Sequence, residues 1–67
     1  MKFCEQLKLL RKTLNISQEK LAQKISVAYA TINRLENDKT HPTYDTLQKL
    51  RDLCLDNGIV WENLNER

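Results

Sequence analysis

With 67 residues, one Gly, one Pro, 30% charged and 40% hydrophobic side chains, the chain can build at most one small, helix-rich domain, over 1–67, because a chain this short buries only about 60% of its unfolded surface. Disordered and β-rich classes do not fit this composition, no apolar run approaches the roughly 20 residues of a membrane span, and no apolar region follows Met1-Lys2-Phe3 as a signal peptide requires, so the expected setting is cytoplasmic. The net charge of +2 is unevenly placed, residues 1–39 carrying eight Lys/Arg against four acids and residues 40–67 three against five, as in a molecule with one half facing a polyanion.

Phe3, Leu7, Leu10 and Leu14 recur at spacings of four, three and four, which predicts a helix over about residues 2–13. Leu14-Asn15-Ile16 interrupts it, and Asn15 suits the left-handed position after a helix end, where Gly is commonest and Asn is tolerated. Ser17 is placed as the N-cap of a second helix, with Glu19 supplying negative charge in its first turn. That helix turns Leu21, Ala22 and Ile25 inward and ends near Lys24 and Ile25 after about eight residues. A third helix starts around Ala28 or Tyr29 and buries Ile32 and Leu35, while Val27 covers the turn between the two. A polar loop from Asn37 to Pro42 closes it. Thr43 then caps a fourth helix, with Asp45 in its first turn and Leu47, Leu50 and Cys54 on its inner face. Leu53 and Leu55 lie off that face. The fourth helix should stop near Asn57-Gly58, at the one glycine of the chain. Ile59-Val60-Trp61 reads as either a brief strand or the apolar start of a last turn at Glu62 to Leu64.

The third helix carries an unusual polar side. Ala30, Asn33, Arg34 and Asn37 share one stripe, flanked by Tyr29 and Thr31, when Ile32 and Leu35 face inward at about 100° per residue. A solvated face is normally built from Glu and Lys, whereas Asn and Thr are poor helix formers. The stripe is therefore either incidental or a surface that reads something. Two short helices joined by a tight turn, with small Ala22 where they cross and Ile32 and Leu35 locking the third helix, have the form of a helix-turn-helix.

The stretch LKLLRKTLNISQEKLAQKISVAYATINRLENDKTHPTYDTLQKL, residues 7–50, resembles the phage repressor and Cro (Xre-type) helix-turn-helix family, and the combination of its spaced residues is specific as a whole. The resemblance implies a compact all-α, lambda-repressor-like fold of four to five helices with its helix-turn-helix core at about 17–36. It implies sequence-specific binding to double-stranded DNA and transcription regulation, with repression the first choice, as a homodimer with neither enzyme activity nor cofactor. Three positions where the family commonly has Gly are here Asn15, Ser26 and Asp38; Ser26 is the least comfortable in a left-handed conformation. Ala28 stands where a Ser or Thr cap is frequent, leaving N–H groups of the third helix to water or a phosphate.

The family's docking mode implies that the first turn of the third helix enters the major groove. Tyr29, Ala30, Thr31 and Arg34 then face base edges, with Asn33 on the same stripe as a further base-reading residue. Arg34 can grip guanine bidentately, Ala30 and the Thr31 methyl can meet thymine methyl groups, and Tyr29 can use its ring or hydroxyl. Gln18 at the start of the second helix, and Asn37, Lys39 and Thr40 in the loop, would meet phosphates. Arg11 and Glu36 match a first-helix Arg and third-helix Glu that form a partly buried pair in the family, which fixes helix placement more than it adds net stability.

Catalysis finds no support in a single His41 beside Pro42, with no neighbouring cysteine and no repeated carboxylate spacing. His41, Cys4 and Cys54 would lack a fourth zinc ligand, so His41 is expected to be a solvated loop residue and the cysteines to be reduced, small hydrophobes. The apolar residues left after the core is assigned, Leu53, Leu55, Ile59, Val60, Trp61 and Leu64, either form a dimerisation segment over 55–67 or cap the monomer core. The main alternative function is a protein-interaction module, such as an antitoxin or antirepressor subunit, that holds its partner through residues 53–67.

Overall fold

The computed structural model describes residues 2–61. They form four helices: α1 (Phe3–Leu14), α2 (Gln18–Lys24), α3 (Tyr29–Glu36) and α4 (Tyr44–Asp56), with no strand among the described residues. Starts follow from local chemistry. Ser17 Oγ accepts the Lys20 N–H at 3.0 Å, and Thr43 Oγ1 accepts the Thr46 N–H at 3.1 Å, each satisfying one of the amides that a helix start leaves without an intrahelical partner. At α1 the Glu5 carboxylate reaches back to the Lys2 N–H at 3.2 Å.

The helix ends share one device. A residue with positive φ follows each helix: Asn15 at 57°, Ser26 at 59°, Asp38 at 59° and Gly58 at 70°. The next N–H then reaches back five residues: Ile16 to the Arg11 carbonyl at 3.1 Å, Val27 to Ala22 at 3.0 Å, Lys39 to Arg34 at 3.0 Å and Ile59 to Cys54 at 2.8 Å. These are Schellman closures, and three of them are made without glycine. Asn and Asp tolerate left-handed backbone through their short polar side chains, whereas Ser gains less from this and pays more of the Cβ clash. Ser26→Gly is therefore expected to stabilise the free protein, the relieved strain of roughly 1–2 kcal/mol exceeding glycine's entropic cost of roughly 0.5–1 kcal/mol. A melting temperature raised by a few degrees in a thermal scan would record it.

Leu7 and Leu10 from α1, Leu21 and Ala22 from α2, Ile32 and Leu35 from α3, and Leu50 and Cys54 from α4 pack into one core with Ile25 and Trp61. Ala22, at 3% exposure, sits under the helix-turn-helix crossing, where a larger side chain would push α2 and α3 apart. At α4, Leu47 packs on the core as expected, half-buried, and Thr46 is buried beside it; Thr46 can be buried because Thr43 donates to its hydroxyl at 3.0 Å. Leu53, expected off the inner face, is half-buried against the core.

Of the two forms expected after α4, the brief strand is absent: Ile59 and Val60 are in no helix or strand, while Trp61 is helical, as the apolar start of a last turn would have it. The Schellman closure at Gly58 turns the chain back, so that Ile59 packs on the core and Trp61 closes its end against Phe3, ring centroids 5.8 Å apart and tilted by 43°. Leu55 and Val60 remain on the surface at 77% and 52% exposure. The last turn expected at Glu62 to Leu64, and Leu64 itself, lie outside the described residues. Among those described, no helix is long and apolar enough to cross a membrane.

Candidate nucleic-acid interface

The α3 helix begins without a side-chain cap, since Ala28 offers no oxygen, and has no acid in its first turn. Its N-terminal end therefore keeps the positive partial charge of its backbone dipoles unneutralised. Tyr29, Ala30, Arg34 and Asn37 are exposed along it, and Thr31 and Asn33 are half-buried. The inward positions Ile32 and Leu35, at 0% and 1% exposure, fix this orientation.

The loop after α3 extends the same face. Lys39, Thr40 and His41 are exposed, and a cleft of about 170 Å³ is lined by Thr31 and Arg34 on one side and Thr40 and His41 on the other. Two expected base-reading residues thus stand beside an expected phosphate-contacting residue. The donors present there, guanidinium, hydroxyls and imidazole, can all address an anion.

Behind the stripe lies a hydrogen-bonded chain of side chains. Arg11 grips Glu36 with two nitrogens, Nε to Oε2 and Nη2 to Oε1 at 2.9 Å, while its Nη1 donates to the Ile16 carbonyl at 3.2 Å. The pair expected from the sequence is therefore formed, with Glu36 only 2% exposed and Arg11 at 24%. Burial by itself pushes the Glu36 carboxyl up, but the hydrogen bonds from Arg11 and Gln18 and the charges of Arg11 and Lys8 outweigh it and hold the group below its ordinary range. The hydrogen bond to Glu36 correspondingly raises the Arg11 guanidinium, with burial opposing and the Glu36 charge and Tyr29 assisting.

Gln18 Nε2 also donates to Glu36 Oε1, at 3.0 Å, and Asn33 Nδ2 donates to Gln18 Oε1 at 3.2 Å. Asn37 Nδ2 donates to the Asn33 carbonyl at 2.7 Å and to Asn33 Oδ1 at 3.3 Å. Gln18 and Asn33 are consequently half-buried groups tied into the helix packing, where the sequence reading has them simply presented outward. The signal that could have found this is the carboxylate itself. Buried Glu36 offers about four acceptor sites, more than Arg11 can fill, so amides on the facing helix are the expected suppliers.

A short second helix, a tight left-handed turn at Ser26, a third helix with an exposed, donor-rich stripe and a buried pair behind it define a helix-turn-helix DNA-binding domain. A family model described as Helix-turn-helix matches residues 7–54, and the chain belongs to that Xre-type family of DNA-binding transcription regulators. No curated protein and no solved structure gives a match.

Proposed function

We propose that this protein is a sequence-specific transcriptional repressor that binds double-stranded DNA as a homodimer, working in the cytoplasm as one domain over 1–67, with α3 in the major groove. The observation that supports this best is the exposed α3 stripe seated on a buried ion pair: the surface can face DNA while its backing stays fixed. Tyr29, Ala30, Thr31, Asn33 and Arg34 read base edges; Gln18, Asn37, Lys39 and Thr40 meet phosphates and set the register. Repression needs only occupancy of a promoter, which a module of this size can supply.

The dimer reading rests on Leu55 and Val60, whose exposed side chains line a cleft of about 240 Å³ with Gln48, Arg51 and Ile59. The same apolar surface would serve the partner of an antitoxin or antirepressor subunit, which is the second reading. Selection from a pool of random duplexes separates them. The repressor reading expects an enriched inverted repeat with half-sites about one helical turn apart. It also expects log affinity to fall linearly with log salt, with a slope of about 0.9 per phosphate contacted. An unenriched pool, or an affinity indifferent to salt, would overturn it.

A further inference from the structure

The amide of Gln18 lies between a buried anion and the reading helix, and the direction of its hydrogen bonds is not free. An ionised carboxylate can only accept. With Glu36 ionised, Gln18 must turn Nε2 toward it, as it does at 3.0 Å. Its Oε1 then faces the other way and can only accept. What it accepts is the Nδ2 hydrogen of Asn33 at 3.2 Å, which orients that amide in turn and leaves Asn33 Oδ1 to accept from Asn37 at 3.3 Å. Turning over the amide of Gln18 would set acceptor against acceptor at one end and donor against donor at the other, leaving half-buried groups unpaired.

We propose that Gln18 is a positioning residue for base reading: it carries the polarity of the Arg11–Glu36 pair to Asn33, so that Asn33 offers its second Nδ2 hydrogen to the DNA and selects a base whose major-groove edge presents an acceptor. This rests on the DNA-reading proposal above, and it gives Gln18 a task beyond its phosphate contact, for which the second Nε2 hydrogen remains. A phosphate contact acts equally on all sequences, whereas an oriented donor discriminates among them. Guanine O6 and N7, adenine N7 and thymine O4 are the acceptors that such a donor can meet, and cytosine, whose major-groove edge presents only a donor, is the base it rejects.

The test uses the full chain carrying Gln18→Ala, Asn33→Ala, both together, or neither, each selecting from the same random duplex pool. Gln18→Ala leaves the Arg11–Glu36 contact in place, and a thermal scan confirms folding. The expected result is that Gln18→Ala and Asn33→Ala relax preference at the same base-pair position, each by about tenfold. The double variant should lose nothing further at that position. In the free protein, the side-chain amide NMR signals of Asn33 should shift in Gln18→Ala.

If Gln18→Ala weakens all duplexes equally, or its effect simply adds to that of Asn33→Ala, Gln18 is a phosphate contact only and the proposal falls. Asn33 signals indifferent to Gln18→Ala also overturn it, while leaving the DNA reading intact if the wild type enriches a sequence. A wild type that enriches no duplex overturns the DNA reading itself, and with it the role assigned to Gln18.

Discussion

Glu36→Ala is expected to remove most of the stability margin of the free protein. Breaking a buried ion pair by deleting one partner costs roughly 3–5 kcal/mol, because the remaining charge loses its compensation. Arg11 retains 24% exposure, so solvent screens part of the loss and the low end of that range applies. The total margin of a domain this size is only about 3–10 kcal/mol. A thermal scan at neutral pH should therefore show a transition far below that of the wild type or already under way at room temperature. The pH dependence has a definite sign. The folded Glu36 carboxyl lies below its ordinary value, so at acid pH the unfolded chain binds the proton more readily than the native one. Its contribution is fully present above the unfolded value of about 4.3 and is lost as pH falls through the lower folded value. Melting temperatures of wild type and Glu36→Ala measured from pH 7 down to pH 3 should accordingly converge as the medium becomes more acidic. A gap that stays constant would mean that Glu36 acts by packing and not by charge.

The helices were legible in the sequence because their information is local. A spacing of three or four apolar residues places α1 and α3, Ser17 and Thr43 mark starts, and Asn15 marks an end; the structure moves the α1 boundary by only one residue. The pair Arg11 and Glu36 was legible through the family resemblance alone, since its members lie 25 positions apart. The Gln18–Asn33 contact was not. It joins side chains 15 positions apart on different helices, and no periodicity encodes which amide turns toward which. The inward place of Thr46 is not legible for a related reason: hydropathy finds Leu47, which does pack on the core, but not a hydroxyl that the preceding cap satisfies and that can be buried at little cost. At the chain's far end, Ile59 and Trp61 were grouped with Leu55 and Val60 as apolar residues in need of cover. The Gly58 turn divides them, sending the first two inward and leaving the other two at the surface.

Arg34→Ala is expected to do the opposite of Glu36→Ala, sparing the fold and damaging recognition. Arg34 lies five residues, about one and a half helical turns, from the uncapped start of α3, exposed to solvent. No hydrogen bond or ion pair among the described residues holds its guanidinium. Its loss should leave the melting temperature of the free protein nearly unchanged, since surface substitutions away from caps and networks stay within about 0.5 kcal/mol. Against DNA, a bidentate contact to guanine O6 and N7 is worth about 1–3 kcal/mol of discrimination at one base pair. Selection with Arg34→Ala should then lose preference at a single position per half-site, with the rest of the motif preserved. Ala30→Glu gives an independent reading of the same surface. Ala30 is exposed on the helix, so glutamate costs the free protein little, yet in the groove it brings bulk and negative charge against base edges and phosphates. Affinity should collapse for every duplex while the thermal transition stays in place. If Arg34→Ala destabilises the free protein as much as Glu36→Ala does, or keeps its full selectivity, the stripe on α3 is an ordinary solvated face and the groove is entered by another part of the molecule.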